Sequence, residues 1–262
     1  MKEIAGLVVV VTGASAGIGR ATAVSLAKLG ANVVLTGRRT ERLTTLIDEL
    51  VDSPGRRLAV AGDIRDEQFA RELIDRTVNE FGRLDVLVNN AGLGHHSSLA
   101  DMPLSDVRTI LDTNVVGLLA ATQTAVTQMK AQGSGHIINV SSIVGQRPLP
   151  HNGIYTASKT AVNFITRTLR MELRPYKIIV TAVYPGLTAT EFGQAKLGRS
   201  GRNRWGLSGI PAERVGEAVV KAVRYGRTEV YVTLYDWLIT HVCRLFPRLI
   251  DWFLMTRIYL AG

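Results

Sequence analysis

Cysteine is almost absent from this chain: among 262 residues there is one, Cys243. A single thiol has no partner within the chain, so an internal disulfide is excluded, and such a composition suits a reducing compartment. Long apolar runs are missing as well. A spanning helix needs about 20 mostly apolar residues, and no stretch supplies them. There is no zinc-ligand spacing, no repeat and no low-complexity tract, and no signature of a DNA- or RNA-binding module. Neither a metal site nor a nucleic-acid partner is expected. The first strand-like run starts about six residues in, which leaves no room for a signal peptide; a cytoplasmic location is expected. Acidic residues are the minority, 22 against 31 basic ones, for a net charge of +9. That excess permits acidic ligands or an anionic surface, and a merely solvated basic surface accounts for it too.

What is present begins with a full core. Hydrophobic residues make up 46% and charged residues 20%, which is ordinary for a globular domain. Residues 7–12 form a β-branched run, read as a strand buried on both faces. It breaks into Gly13-Ala14-Ser15-Ala16-Gly17-Ile18-Gly19, followed by a helical pattern over residues 20–29. Glycines allow a tight turn and let backbone N–H groups approach a pyrophosphate at a helix N-terminus. The second strand, residues 32–36, ends in Gly37-Arg38-Arg39. A carboxylate at that tip would bind a ribose 2′-hydroxyl; it is missing, and two guanidiniums stand in its place. Guanidiniums match a phosphate, which points to NADP(H) rather than NAD(H). The competing reading is that both arginines open a solvated helix over residues 40–51.

A third strand, residues 58–61, leads to Gly62-Asp63-Ile64. Asp63 could accept from an adenine amino group with Ile64 against the ring, or it could cap the helix over residues 67–81. A fourth strand, residues 84–88, ends in Asn89-Asn90-Ala91-Gly92, small residues that let a ribose or nicotinamide lie close. Strands alternating with helices predict a parallel, doubly wound sheet of about seven strands with helices on both faces, a Rossmann-type α/β fold. His95-His96 reads as a loop. Residues 104–131 read as a long helical region broken near Asp112-Thr113, with Asn114 in an awkward mid-helix position.

The fifth strand, residues 136–141, runs into Ser141-Ser142, a glycine- and proline-containing loop, and a helix from Tyr155 to about residue 174, where Pro175 stops it. On a helix Tyr155 and Lys159 share a face. A neighbouring ammonium favours a phenol's charged form, so this pair is a candidate for proton transfer near neutral pH, with the Ser142 hydroxyl beside it. Of seven tyrosines, only Tyr155 has a basic residue four places on. By itself the pair also fits a solvated helix face. A sixth strand, residues 178–183, ends in Tyr184-Pro185-Gly186-Leu187-Thr188-Ala189-Thr190, whose hydroxyls suit a nicotinamide carboxamide.

Residues 1–235 read as one domain, with a basic lid at about 190–212 that carries Lys196, Arg199, Arg202 and Arg204. A helix over 211–225 and a last strand over 229–232 complete it. The extension from 236 to 262 is rich in Trp, Phe, Leu and Ile and broken by Arg244, Pro247, Arg248, Asp251 and Arg257. It is expected to cap an apolar cleft or a subunit interface; the alternative is a peripheral place on a membrane surface.

Taken in order, Thr12 to Gly19, Asp63, Asn89 to Gly92, Asn114, Ser142, Tyr155 with Lys159, and Pro185-Gly186 resemble the short-chain dehydrogenase/reductase family in its single-domain form, over about residues 5–233. The resemblance implies that Tyr155 is the general acid in carbonyl reduction and the base in alcohol oxidation. Lys159 would lower its pKa and hold the nicotinamide ribose, Ser142 would orient the substrate oxygen, and Asn114 would support a proton-relaying water. It also implies cofactor contacts from Gly13, Ser15, Gly17, Ile18, Gly19, Arg38, Arg39, Asp63, Ile64, Asn90, Ala91, Gly92, Tyr155, Lys159, Pro185, Gly186, Thr188 and Thr190. The NADP(H)-preferring members resemble this chain in Arg38, whereas Ala16 stands where some of them carry a basic residue. The implied function is an NADP(H)-dependent oxidoreductase acting on a small, lipophilic or acidic carbonyl compound or alcohol, assembled as a homodimer or homotetramer. Two rivals are a non-catalytic NADP(H) sensor and an epimerase or dehydratase on the same scaffold; the proton-donor set argues against the first and the short length after Pro185 against the second.

Overall fold

Valine runs with no polar face can only be satisfied by burial on both sides, and this governs the architecture. The computed structural model describes residues 1–198 and 208–259. Seven strands form one sheet: β1 Val8–Thr12, β2 Asn32–Gly37, β3 Arg57–Ala61, β4 Val86–Asn89, β5 Gly135–Val140, β6 Ile178–Tyr184 and β7 Glu229–Tyr231. Their order is β7-β6-β5-β4-β1-β2-β3, and every pairing is parallel.

The two-residue period of a strand sorts side chains between two cores. Val9 and Val11 face one side, with Leu26 of α1 (Gly17–Lys28), Leu43 and Leu46 of α2 (Thr40–Glu49) and Val215 and Val219 of a helix at Ala212–Tyr225. Val10 faces the other, with Leu73 of α3 (Glu67–Phe81), Ala121 and Ala125 of a helix at Gly117–Gln132 and Leu173 of a helix at Gly153–Leu173. In chain order these last helices are α5 (Gly117–Gln132), α6 (Gly153–Leu173) and α7 (Ala212–Tyr225), with α4 at Leu104–Leu111. Helix α1 approaches α7 closely: a Cβ on Gly216 would lie 2.8 Å from the Ala21 carbonyl oxygen. The backbone N–H of Lys2 donates to the Arg224 carbonyl nearby.

The expected break near Asp112 has a definite form. Residues Asp112–Val116 make one turn of π-helix between α4 and α5, and Asn114 lies on it. One expectation is corrected. Asp63 does not cap α3; Asp66 does, accepting from the N–H groups of Gln68 and Phe69, because it stands at the boundary while Asp63 is three residues too early. The C-terminal region turns helical at Leu234. There α8 (Leu234–Leu245) opens with a Thr233–Asp236 capping box, and Asp236 is buried within the body. Helix α9 (Pro247–Tyr259) follows. The lid expectation falls partly outside the described residues, with Arg199, Arg202 and Arg204 among those not described. No helix among the described residues is long and apolar enough to cross a membrane.

Candidate active site

The strand order reverses between β1 and β4, so the loops that leave the carboxyl ends of these two strands run to opposite faces of the sheet and leave a crevice. The glycine loop forms its floor. Gly13 and Gly17 have positive φ, +66° and +53°, which side-chain-bearing residues rarely adopt. A Cβ on Gly19 would lie 2.3 Å from the Gly13 carbonyl oxygen and 2.4 Å from Asn90 Nδ2. Helix α1 begins at Gly17 with no side chain capping it and no acidic residue in its first turn. Its free N–H groups and positive dipole end therefore face the crevice, and this fits a diphosphate.

Thr12 and Asn90 lock the two sides together. The Thr12 hydroxyl accepts from the N–H groups of Asn90 and Ala91 at 2.9 and 3.0 Å. The Asn90 amide donates to the Thr12 carbonyl at 2.9 Å. The side chain of Asn90 is thus engaged with the protein, and its backbone and those of Ala91 and Gly92 form the wall.

At the β2 tip the two arginines part company. Arg39 donates to the Ser15 hydroxyl at 3.1 Å and pairs with Glu191 at 3.2 Å. Arg42 pairs with the same carboxylate at 2.6 Å, and the two guanidiniums hold the Glu191 carboxyl below its ordinary range. Arg38 is exposed and makes no hydrogen bond or ion pair among the described residues. Glu191 and Arg42 carry no motif and escape a reading of the sequence. Asp63 pairs with Arg65 at 2.6 Å, which is the main cause of its lowered pKa. Ile64 beside it is buried.

The proton-transfer candidates converge from four directions: the β5 tip, α6, the π-helical turn and the β4 loop. Ser141 and Ser142 diverge. Ser141 turns inward to Asn163 and the Lys159 carbonyl. Ser142 donates to the Pro185 carbonyl at 3.3 Å, and its hydroxyl is the polar neighbour that favours the charged form of Tyr155. Lys159, 5% exposed, donates to the Val140 carbonyl at 2.8 Å and lies 5.9 Å from the Tyr155 ring centre. Asn114, 1% exposed, clamps the Leu93 peptide: it accepts from the N–H at 2.7 Å and donates to the carbonyl at 2.9 Å and to Ser158 Oγ at 2.9 Å. A Cβ on Gly92 would lie 3.2 Å from Asn114 Oδ1 and 3.6 Å from Lys159 Nζ, so these groups share one small space.

The electrostatics correct one expectation. A neighbouring ammonium was expected to lower the Tyr155 pKa. Desolvation instead pushes the phenol up to about 12, with the Ser142 hydrogen bond only partly opposing it. Burial brings the Lys159 ammonium down to about 8. Taking each group out of water disfavours its charged form.

The rest of the rim comes from after β6. Thr188 donates to the Gly186 carbonyl at 3.1 Å. A Cβ on Gly17 would lie 3.1 Å from the Thr190 side chain, so Thr190 closes over the glycine loop. Phe192 sets its ring 5.6 Å from that of Tyr155. His95 and His96 are not a simple loop: they pair with Leu197–Gly198, and buried His95 meets Asp106 at 3.0 Å. Among the described residues no group of three or more His, Cys, Asp or Glu is placed to hold a metal ion.

Comparison with known proteins agrees with this geometry. Residues 7–199 match the family model described as short chain dehydrogenase. Farnesol dehydrogenase of Aedes aegypti is 42% identical, over 73% of this chain and 81% of that protein. Sulfoacetaldehyde reductase 2 of Chromohalobacter salexigens is 40% identical, over 73% and 76%. A short-chain dehydrogenase/reductase of Burkholderia phymatum, solved in complex with NAD, superposes with a TM-score of 0.87 at 25% identity, covering 95% of this chain and 96% of that one. A 3-ketoacyl-(acyl-carrier-protein) reductase of Brucella melitensis, complexed with NADH, gives a TM-score of 0.80 at 28% identity, over 87% and 97%. A parallel sheet whose order reverses at β1 and β4, a glycine loop at that point and a sequence match over most of the domain have one common explanation: this chain is an oxidoreductase of the short-chain dehydrogenase/reductase family, whose members use nicotinamide cofactors.

Proposed function

We propose that the chain is an NADP(H)-dependent oxidoreductase that interconverts a carbonyl group and a secondary alcohol, with Tyr155 as general acid and base. The observation that carries this reading is the convergence of Tyr155, Ser142, Lys159 and Asn114 at the crevice mouth. When bound, the dinucleotide supplies or takes up hydride at its nicotinamide ring. The chain's own residues handle the proton. Ser142 and Tyr155 hold the substrate oxygen from one side, and the Tyr155 phenol gives its proton as charge builds there. A phenol held at about 12 keeps its proton at neutral pH, as a donor to a carbonyl oxygen requires. Lys159, fixed on the Val140 carbonyl, presents its ammonium to the ribose side, and Asn114 holds the Leu93 peptide in place behind it.

Arg38 supports the choice of NADP(H). Arg39 is already engaged by Ser15 and Glu191, so Arg38 is the guanidinium that can meet a 2′-phosphate without giving up a partner. Gly13, Ser15, Gly17, Ile18 and Gly19 would cradle the diphosphate, Asp63 and Ile64 the adenine, and Ala91, Gly92, Pro185, Gly186, Thr188 and Thr190 the nicotinamide half. Assembly as a dimer or tetramer draws support from Phe164 and Met171, which stand exposed on α6.

Replacing Tyr155 by Phe tests the mechanism. Carbonyl-dependent NADPH consumption should fall by about 10²–10⁴-fold, while NADPH binding followed by nucleotide fluorescence should persist. Turnover by Tyr155→Phe at the parent rate would refute the assignment.

A further inference from the structure

Helices α8 and α9 expose far more apolar surface than their length warrants. Of 23 exposed large hydrophobic residues among those described, ten lie on these two helices and an eleventh, Phe246, joins them. Trp237, Leu245, Phe246, Leu249, Trp252 and Phe253 are all at least 44% exposed. Single exposed apolar side chains need no explanation, but a contiguous group of this kind marks a surface that something covers.

The charges identify what covers it. Residues 234–259 contain two carboxylates, Asp236 and Asp251. Asp236 is buried in the α8 capping box, and Asp251 is paired with Arg147. Arg244 and Arg248 are exposed and form no ion pair among the described residues. The face therefore offers tryptophan, leucine, phenylalanine and unneutralised guanidinium, with no free carboxylate. The same face of a second copy would bring the same positive charge and no acidic complement. An anionic lipid surface supplies both the apolar layer and the negative charge.

We infer that α8 and α9 seat this protein on an anionic lipid surface, lying in the headgroup layer rather than crossing it. Helix α9 is tied to the body through Arg147, which donates to Asp251 and to the Pro247 carbonyl. Arg147 belongs to the loop between Ser142 and α6. Helix α8 is rooted at Gly186, where an added Cβ would lie 2.1 Å from Asp236 Oδ1. Both roots lie in loops that border the crevice, so the lipid surface adjoins its mouth. That a lipophilic carbonyl compound enters from the lipid rests on the oxidoreductase reading above; the lipid seat does not.

Sedimentation of the purified full chain with vesicles tests the seat. Vesicles of phosphatidylcholine and phosphatidylglycerol, two to one, should carry the protein into the pellet at low salt, and phosphatidylcholine alone should carry much less. Exchanging both arginines, Arg244→Glu with Arg248→Glu, should weaken binding by at least tenfold, since each basic residue near such a surface is worth about fivefold. Leu249→Ser with Trp252→Ser should release the protein similarly. All four side chains are exposed, and retained NADPH binding with an unchanged melting midpoint will show that the variants fold. The inference is overturned by three results: no pelleting with either vesicle; equal pelleting on neutral lipid that ignores the arginines; or variants that change only association between copies on a sizing column while lipid binding stays the same. The assay needs no turnover, so its outcome is independent of the Tyr155 test.

Discussion

His136 stands in β5 at 1% exposure, its Nε2 2.7 Å from the Thr181 hydroxyl. That hydroxyl already donates to the Arg227 carbonyl, so it accepts from His136 and fixes the Nε2–H tautomer. Nδ1 has no hydrogen-bond partner. Burial, with a smaller push from Lys2, brings the imidazole pKa down to about 3. The unfolded chain binds this proton near 6.5 and the folded chain does not, so stability is fully present above pH 6.5 and is lost as pH falls toward 3. The loss should reach about 5 kcal/mol at most. Urea midpoints measured from pH 7 down to 4 should fall steadily, and His136→Gln, which keeps a donor for Thr181 and takes no proton, should flatten much of that slope. At this same scale the sequence is least informative. Tyr155 and Lys159 are visible by spacing, but spacing does not reveal that desolvation governs the pKa of both. Ser142 could be preferred over Ser141, yet the Asn163 contact that turns Ser141 away is a tertiary fact. Glu191 has no local signal at all, because its meaning comes from Arg39 and Arg42, about 150 positions earlier in the chain.

The glycine loop is the element on which nucleotide binding turns. Gly19 has ordinary φ, so its need is space rather than backbone freedom: Gly13 and Asn90 leave no room for a methyl group. Gly19→Ala must push β1 from the β4 loop. A destabilisation of about 1–3 kcal/mol is expected from such overpacking, together with a large loss of NADPH affinity. Gly133→Ala is the contrasting variant. Its φ is +70° with nothing within 4 Å of an added Cβ, so it should lower stability by about 1 kcal/mol from backbone strain alone and leave NADPH affinity unchanged. Denaturant midpoints and fluorescence titration separate the two. Among elements, strands and their order of use were well legible. β-branched runs over 7–12, 32–36 and 178–183 admit little but buried parallel strands, and their bounds moved by a residue or so. The π-turn at Asp112–Val116 was legible only as a disturbance, since Asn114 is unfavourable in a regular helix but nothing local specifies the extra residue. The Asp63 and Asp66 pair shows the same limit: both suit a cap, and only the backbone path decides.

For the whole molecule, a ligand that binds only the folded chain raises its stability by mass action. NADPH at a hundred times its Kd should add about 2.7 kcal/mol, or roughly 5–10 °C in Tm for a chain of this size. NADH at equal concentration should add less, and Arg38→Asp should reverse the order; a larger shift with NADH in the parent protein would refute the Arg38 argument. The extension was the least legible region as a whole. Its composition gave no spanning helix, yet only the fold shows that both helices hang from loops beside the crevice. The close approach of α1 and α7 has a further consequence, in the order of assembly. One flank of helix α1 is covered by α7, and Lys2 is bonded to Arg224. Contacts this distant along the chain form late because a long loop must close first. During synthesis the glycine loop emerges early and its supporting helix α7 about 200 residues later. The nascent chain therefore carries an uncovered apolar flank on α1 until α7 has docked.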